Sequence, residues 1–257
     1  MSQTSPFPEG STSAKTGLKT GRSGLWRWQT MREKMKEAKD MKFQKHTSDE
    51  LVRLFYKRPF QGQSPEKASI IFLSSDANYS SEISSNSFFK YIFEYQEDGV
   101  VFWKKHRHHH PFMLSCYPFN KNMAGVPFHR NFSKLRLGPE HAHNISFLEL
   151  LDVPTIGNKT ENRDEFFSLL SLNHLKYIES LILGGGHKLF LVSNGVVKDI
   201  EKINKRFSVF ECLKGLSEMQ VLSLENGNKI KQIYHFSSSQ IHGQLREIRS
   251  EIDLWLT

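Results

Sequence analysis

Four short apolar runs, each giving way to polar residues, constrain the fold of this chain more than any other feature. "ASIIFLSS", "NISFLELL", "HKLFLVSNG" and "KIKQIYHFSSS" read as strands, each a continuous apolar run with polar ends. Helical patterns separate them. "SFFKYIFEYQEDGVVFWKKH" carries Phe88, Phe89, Ile92, Phe93 and Phe102 at mostly helical spacing. "RDEFFSLLSLNHLKYIESLILGG" stops at Gly184 to Gly186, "VVKDIEKINKRF" follows the third strand, and "SQIHGQLREIRSEIDLWL" closes the chain behind a serine cap. Strand and helix in alternation predict an α/β fold, a three-layer α/β/α arrangement around a central, mostly parallel, four-stranded sheet. With 257 residues and 38% hydrophobic content, the chain can bury one sizeable core. The spacing predicts a single domain over residues 46–257.

Ahead of it, residues 1–45 read as a basic tail. "MSQTSPFPEGSTSAKTGLKTGRSG" lacks apolar periodicity and is expected to be disordered, and "LWRWQTMREKMKEAKDMKFQKHTSDELVRLF" is expected to be helical. Up to Ser48 there are ten Lys and Arg against four acids, so most of the +8 net charge sits there. A basic tail suits a polyanion, nucleic acid above all, and equally suits a solvated leash.

Other classes are disfavoured by what the chain lacks. Two cysteines, Cys116 and Cys212, cannot supply a four-thiolate zinc site or an iron–sulfur cluster unaided. No apolar run approaches the ~20 residues of a membrane span, and the N-terminus shows no apolar core of a secretory signal. The expectation is a cytoplasmic protein, nucleoid-associated if prokaryotic. "KKHRHHHPF" places His106, His108, His109 and His110 together and invites a metal reading. Adjacent histidines on one segment rarely all face one ion, and no Glu stands at a helical ligand spacing. A basic loop contacting DNA phosphate, or a structural loop anchored by Pro111 and Phe112, is the preferred reading. "GVPFHRNF" adds His129 and Arg130, expected to border the same cleft, with Arg130 a candidate DNA contact. The three glycines lack the lysine and spacing of a phosphate-binding loop.

In parallel α/β sheets, ligands gather outside the carboxyl ends of the strands. Three such ends here are polar: Ser74-Ser75-Asp76-Ala77-Asn78, Ser193-Asn194-Gly195 and His235-Phe236-Ser237-Ser238-Ser239. An acid, an amide and an imidazole are therefore expected on one edge. Such a set suits glycosidic hydrolysis: a carboxylate positions water and stabilises a cationic sugar, and an imidazole bonds the departing base.

"IIFLSSDANYS" and "IYHFSSSQ" resemble the two signature motifs of the uracil-DNA glycosylase superfamily, a Gly-x-Asp-Pro-Tyr-type loop and a His-Pro-Ser-type loop. The resemblance covers roughly Ser69 to Trp255. It implies that Asp76 orients the water and His235 donates to the base carbonyl. It also implies that Ser237, Ser238 and Ser239 grip DNA, and it makes Asn144 the candidate amide reading an extruded base. Tyr79, Phe102 and Phe112 are candidates for the aromatic side of the base pocket. Ser74 and Ala77 replace the glycine and proline of the first motif, and Phe236 replaces the proline of the second. Asn78 falls where the uracil-specific members carry a tyrosine, which leaves room for a substituent on the base. The implied activity is a monofunctional DNA glycosylase that needs no cofactor, acting as a monomer on DNA and not on membranes. A catalytically inactive nucleic-acid-binding module and a His-rich metallohydrolase are the alternatives.

Overall fold

A computed structural model describes residues 42–257; the basic segment before them, with most of the helix expected there, lies outside the described residues. The strands are β1 (Gln44–Lys45), β2 (Phe60–Gly62), β3 (Ile70–Ser74), β4 (Ala77–Asn78), β5 (Ile145–Glu149), β6 (Pro154–Ile156), β7 (Leu189–Ser193), β8 (Val221–Ser223) and β9 (Lys229–Ile233). The helices are α1 (Asp49–Lys57), α2 (Phe89–Glu97), α3 (Gly99–His106), α4 (Val126–Phe132), α5 (Arg163–Ser168), α6 (Leu172–Leu183), α7 (Asn194–Phe207) and α8 (Leu245–Trp255).

The main sheet runs β2-β5-β3-β7-β9-β8. Its inner four strands are parallel and correspond to the four apolar runs. Antiparallel β2 and β8 close the two edges, so the sheet has six strands rather than the expected four. Each added strand is only three residues long, "FQG" and "VLS", too short to announce itself as a run or an alternation.

Unbroken apolar runs imply burial on both faces of a strand, and the packing bears this out. Ile70 and Phe72 of β3 join a cluster with Phe147, Leu191, Trp103, Phe132 and Ile248. Ile71 and Leu73 join a second cluster with Leu148, Phe190, Val192, Ile178 of α6 and Ile200 of α7. A third cluster, which includes Leu51, Phe55, Ile92 and Phe112, lies among α1, α2 and the adjoining loops.

Three expected helices are cut by local chemistry. The stretch read as helical to Phe55 is a strand at Gln44 and Lys45, which pair with Ile156 and Thr155, and α1 begins behind the Ser48 cap. Phe43 is buried and meets Phe166 at 6.3 Å, so residues just ahead of His46 pack with the domain expected to start there. The aromatic helix divides at Asp98, whose carboxylate accepts from Val100 and Val101 N–H, both at 2.9 Å. The next residue is Gly99, whose absent Cβ would lie 2.7 Å from the Cα of Gly62; only glycine permits this crossing. Ser171 likewise caps α6 and separates it from α5. Among the described residues, no helix is long and apolar enough to cross a membrane.

Candidate active site

The carboxyl ends of β3 and β5 lie side by side, with Ser74 registered on Glu149. Beyond β3 the chain turns into β4, which is clamped in a second small sheet of order β1-β6-β4. Tyr79 N–H donates to Thr155 O at 2.9 Å, and Leu151 N–H to Ser75 O at 3.2 Å. Asp76 is thus held at a fixed corner between the two sheets. Its Oδ2 accepts from the Thr155 hydroxyl at 2.7 Å and from the Asn78 amide at 3.4 Å. That amide also donates to Gly157 O at 2.8 Å. Asn78 therefore braces the loop as well as lining the cavity.

His235 comes from the loop after β9. Backbone N–H of Ser237 donates to its Nδ1 at 3.1 Å, so in the neutral ring the proton sits on Nε2, ready to donate. Burial holds this imidazole below its usual range despite the opposing charge of Asp76. Phe236, next in the chain, is buried against Phe72, Phe128 and Phe132 and anchors the loop.

Asp76 and His235 both line a cavity of about 110 Å³. Its apolar wall is aromatic. Phe112 meets Tyr79 at 5.4 Å, and Phe128 meets His235 at 5.6 Å. His110 and His129 stack at 3.6 Å with rings 10° from parallel. Desolvation keeps both rings, and His109 beside them, well below the ordinary imidazole range. The cavity thus offers a face of uncharged, flat rings.

Glu149 lines the same cavity from the end of β5 and is only 5% exposed. Burial, and then the nearby charge of Asp76, push its carboxyl up to about 8. The two carboxyls of the site thereby differ: Asp76 sits partly exposed in a hydrogen-bonded loop and Glu149 in a desolvated pocket. Glu149 Oε2 and Gln61 Oε1 have no hydrogen-bond partner among the described residues, each a cost of about 1–3 kcal/mol.

Behind the corner lies a buried charge cluster. Asp199 on α7 is fully buried, pairs with Lys159 at 2.8 Å and with Arg163, and accepts from Ser75 Oγ at 3.3 Å. The Lys159 ammonium also bonds Ser75 Oγ. The residue preceding Asp76 is therefore tied to α7.

The expected site residues divide. Asp76, Asn78, Tyr79, Phe112, His235 and Ser237 all line the cavity. Ser239 is exposed on the same loop, and Ser238 caps the turn that follows by accepting from Gln240 N–H at 3.2 Å. Asn144 does not reach the cavity: it precedes β5 at the opposite end of the strand and donates to Ser69 Oγ at 3.3 Å. Phe102 is a core residue packed on Tyr95 at 5.3 Å. His109, expected on a phosphate-contacting loop, is buried at 3.2 Å from His129. Arg130 is exposed, with its guanidinium on Lys121 O and Asn122 Oδ1. In the histidine run, His106 pairs with Glu94 at 3.1 Å and His108 is exposed. Among the described residues, no three His, Cys, Asp or Glu side chains are placed to share a metal ion.

Glu149, Gln61 and His110 escaped the sequence reading as cavity groups, and Thr155 escaped it as the hydroxyl that holds Asp76. Glu149 carried a usable signal, since it ends an apolar strand as Ser74 does. Compared with protein-family models, curated proteins and solved structures, the chain matches none of them.

Proposed function

We propose that the protein is a monofunctional DNA glycosylase. It hydrolyses the N-glycosidic bond of a flipped-out damaged or modified base, uracil or a 5-substituted pyrimidine, and leaves an abasic site. The observation that carries this reading is the pairing of Asp76 and His235 across one small, aromatic-lined cavity at the strand ends. Its volume is well below the ~300–1,000 Å³ of pockets for drug-sized ligands and suits a single ring system. A base inside a duplex cannot reach such a pocket while stacked, so it must be extruded.

In the reaction Asp76 orients a water toward the anomeric carbon and stabilises the positive charge that grows on the sugar. His235 Nε2–H donates to the base as the bond breaks and negative charge builds on the leaving group. Thr155 and Asn78 hold the carboxylate in place. The Lys159 ammonium is committed to Asp199, which supports hydrolysis rather than Schiff-base chemistry, since the latter needs a free amine. Ser237 lines the cavity, exposed Ser239 follows on the same loop, and both are offered as DNA contacts. The two hydrophobic clusters on opposite faces of β3 support a three-layer α/β/α arrangement like that implied by the uracil-DNA glycosylase resemblance. On this reading the protein acts as a monomer in the cytoplasm, on the nucleoid if the cell is prokaryotic.

Alkali treatment tests the proposal. DNA carrying uracil, hypoxanthine or 5-substituted pyrimidines is incubated with the protein and then cleaved at abasic sites. Breaks on at least one substrate are expected. Binding without any breaks would identify an inactive DNA-binding module instead.

A further inference from the structure

The inner end of the cavity holds a group that the catalytic pair does not use. Glu149 and Gln61 are 5% and 4% exposed, whereas Asp76 and His235 are only partly buried. Depth therefore separates the two sets: catalytic groups toward the mouth, Glu149 and Gln61 toward the interior. Both inner residues present an oxygen, Oε2 and Oε1, without a partner among the described residues. Gln61 Nε2 makes one long contact, 3.4 Å, to the Tyr79 hydroxyl. Two unpartnered polar oxygens on residues that line a cavity walled by flat rings mark a place where a flat polar ligand completes the hydrogen bonding.

We propose that the Glu149 carboxyl and the Gln61 amide read the inner edge of a flat heteroaromatic base, an edge on which an acceptor atom adjoins an N–H donor. This deepens the glycosylase reading and rests on it for how the base enters the pocket. A protonated carboxyl carries the matching pair, an O–H that donates and a C=O that accepts. An ionised carboxyl loses the donor and repels the acceptor atom of the base.

Burial keeps that proton on Glu149 to about pH 8. The surrounding titratable groups leave this window clear. Tyr79 and Tyr95 are pushed above the usual phenol range, and His110 and His129 stay neutral. His235 after β9, and His174 of α6, whose Nε2 lies 2.8 Å from Glu149 O, are both held below the ordinary imidazole range. Asp76 contributes negative charge, which strengthens the hold on the proton.

Calorimetric titration with free uracil and with free cytosine, from pH 6.5 to 9, tests the inference. Wild type is expected to bind at least one of them at pH 6.5 and to lose affinity up to about tenfold per pH unit beyond pH 8. Glu149→Gln keeps a donor and an acceptor but cannot ionise. It should bind several-fold more weakly at pH 6.5 and show no such fall, which also accounts for titration of the base itself. Glu149→Met, checked for folding by circular dichroism, should weaken binding at least tenfold. Absence of binding of either base at millimolar concentration, or an identical alkaline fall in Glu149→Gln, overturns the inference. Base binding with this pH signature but no base release from DNA would sink the glycosylase reading alone. Base release indifferent to Glu149→Gln at every pH would sink the inference alone.

Discussion

At the residue scale, the orientation of His235 is the most informative detail. The Ser237 N–H on Nδ1 fixes which nitrogen donates, and burial keeps the ring uncharged. A neutral donor stabilises charge that develops during bond breaking without binding the ground state strongly. His235→Gln should therefore lower the single-turnover rate of base release by about 10²–10³-fold, with substrate affinity little changed. A loss confined to affinity would mean that the imidazole only positions substrate. Asp76 and His235 were legible because each follows an apolar run at the end of a strand. Glu149 carried the same signal, the end of an apolar run, but that signal alone does not distinguish a buried acid beside a cavity from one turning to solvent. Asn144 has the amide that the resemblance implies, but it precedes the strand and so stands at the wrong end of it.

At the element scale, the corner between β3 and β4 is what turns a strand end into a site. Its support is the second sheet on one side and the Asp199 cluster on the other. Asp199→Ala leaves Lys159 and Arg163 without their carboxylate and the Ser75 hydroxyl without its acceptor. It should cost roughly 3 kcal/mol in urea denaturation and also slow base release, because Ser75 adjoins Asp76. Destabilisation without any effect on rate would separate the cluster from the site. The four parallel strands were readable because burial on both faces leaves continuous apolar runs. Edge strands β2 and β8, and the two-residue strands β1 and β4, were not, since pairing partners rather than side-chain pattern define them. Helix breaks at Asp98 and Ser171 depended on caps inside stretches whose apolar spacing runs on across them.

At the scale of the whole molecule, buried titratable groups set the pH range of stability. His109, His110 and His129 are depressed below 6.5, so their contribution is lost as pH falls below that value. Glu149 is raised from 4.5 to about 8, so its contribution is present at low pH and drains away as pH rises toward 8. Together they predict maximal stability near pH 6.5, with a decline toward pH 8 of a few kcal/mol at most, at about 1.4 kcal/mol per pH unit. Thermal unfolding across pH 5 to 8.5 checks this. The decline above pH 6.5 should flatten in Glu149→Gln, and an unchanged slope would assign it to other groups.

Asp76 is proposed to serve hydrolysis of a base from DNA. Mass-spectrometric detection of free base, released under single-turnover conditions from DNAs carrying uracil or 5-substituted pyrimidines, tests it most directly. Wild type is expected to release base from at least one of them, and Asp76→Asn, folded and with unaltered thermal unfolding, to do so at least 10²-fold more slowly. No free base from any substrate, or equal release by Asp76→Asn, would contradict the account.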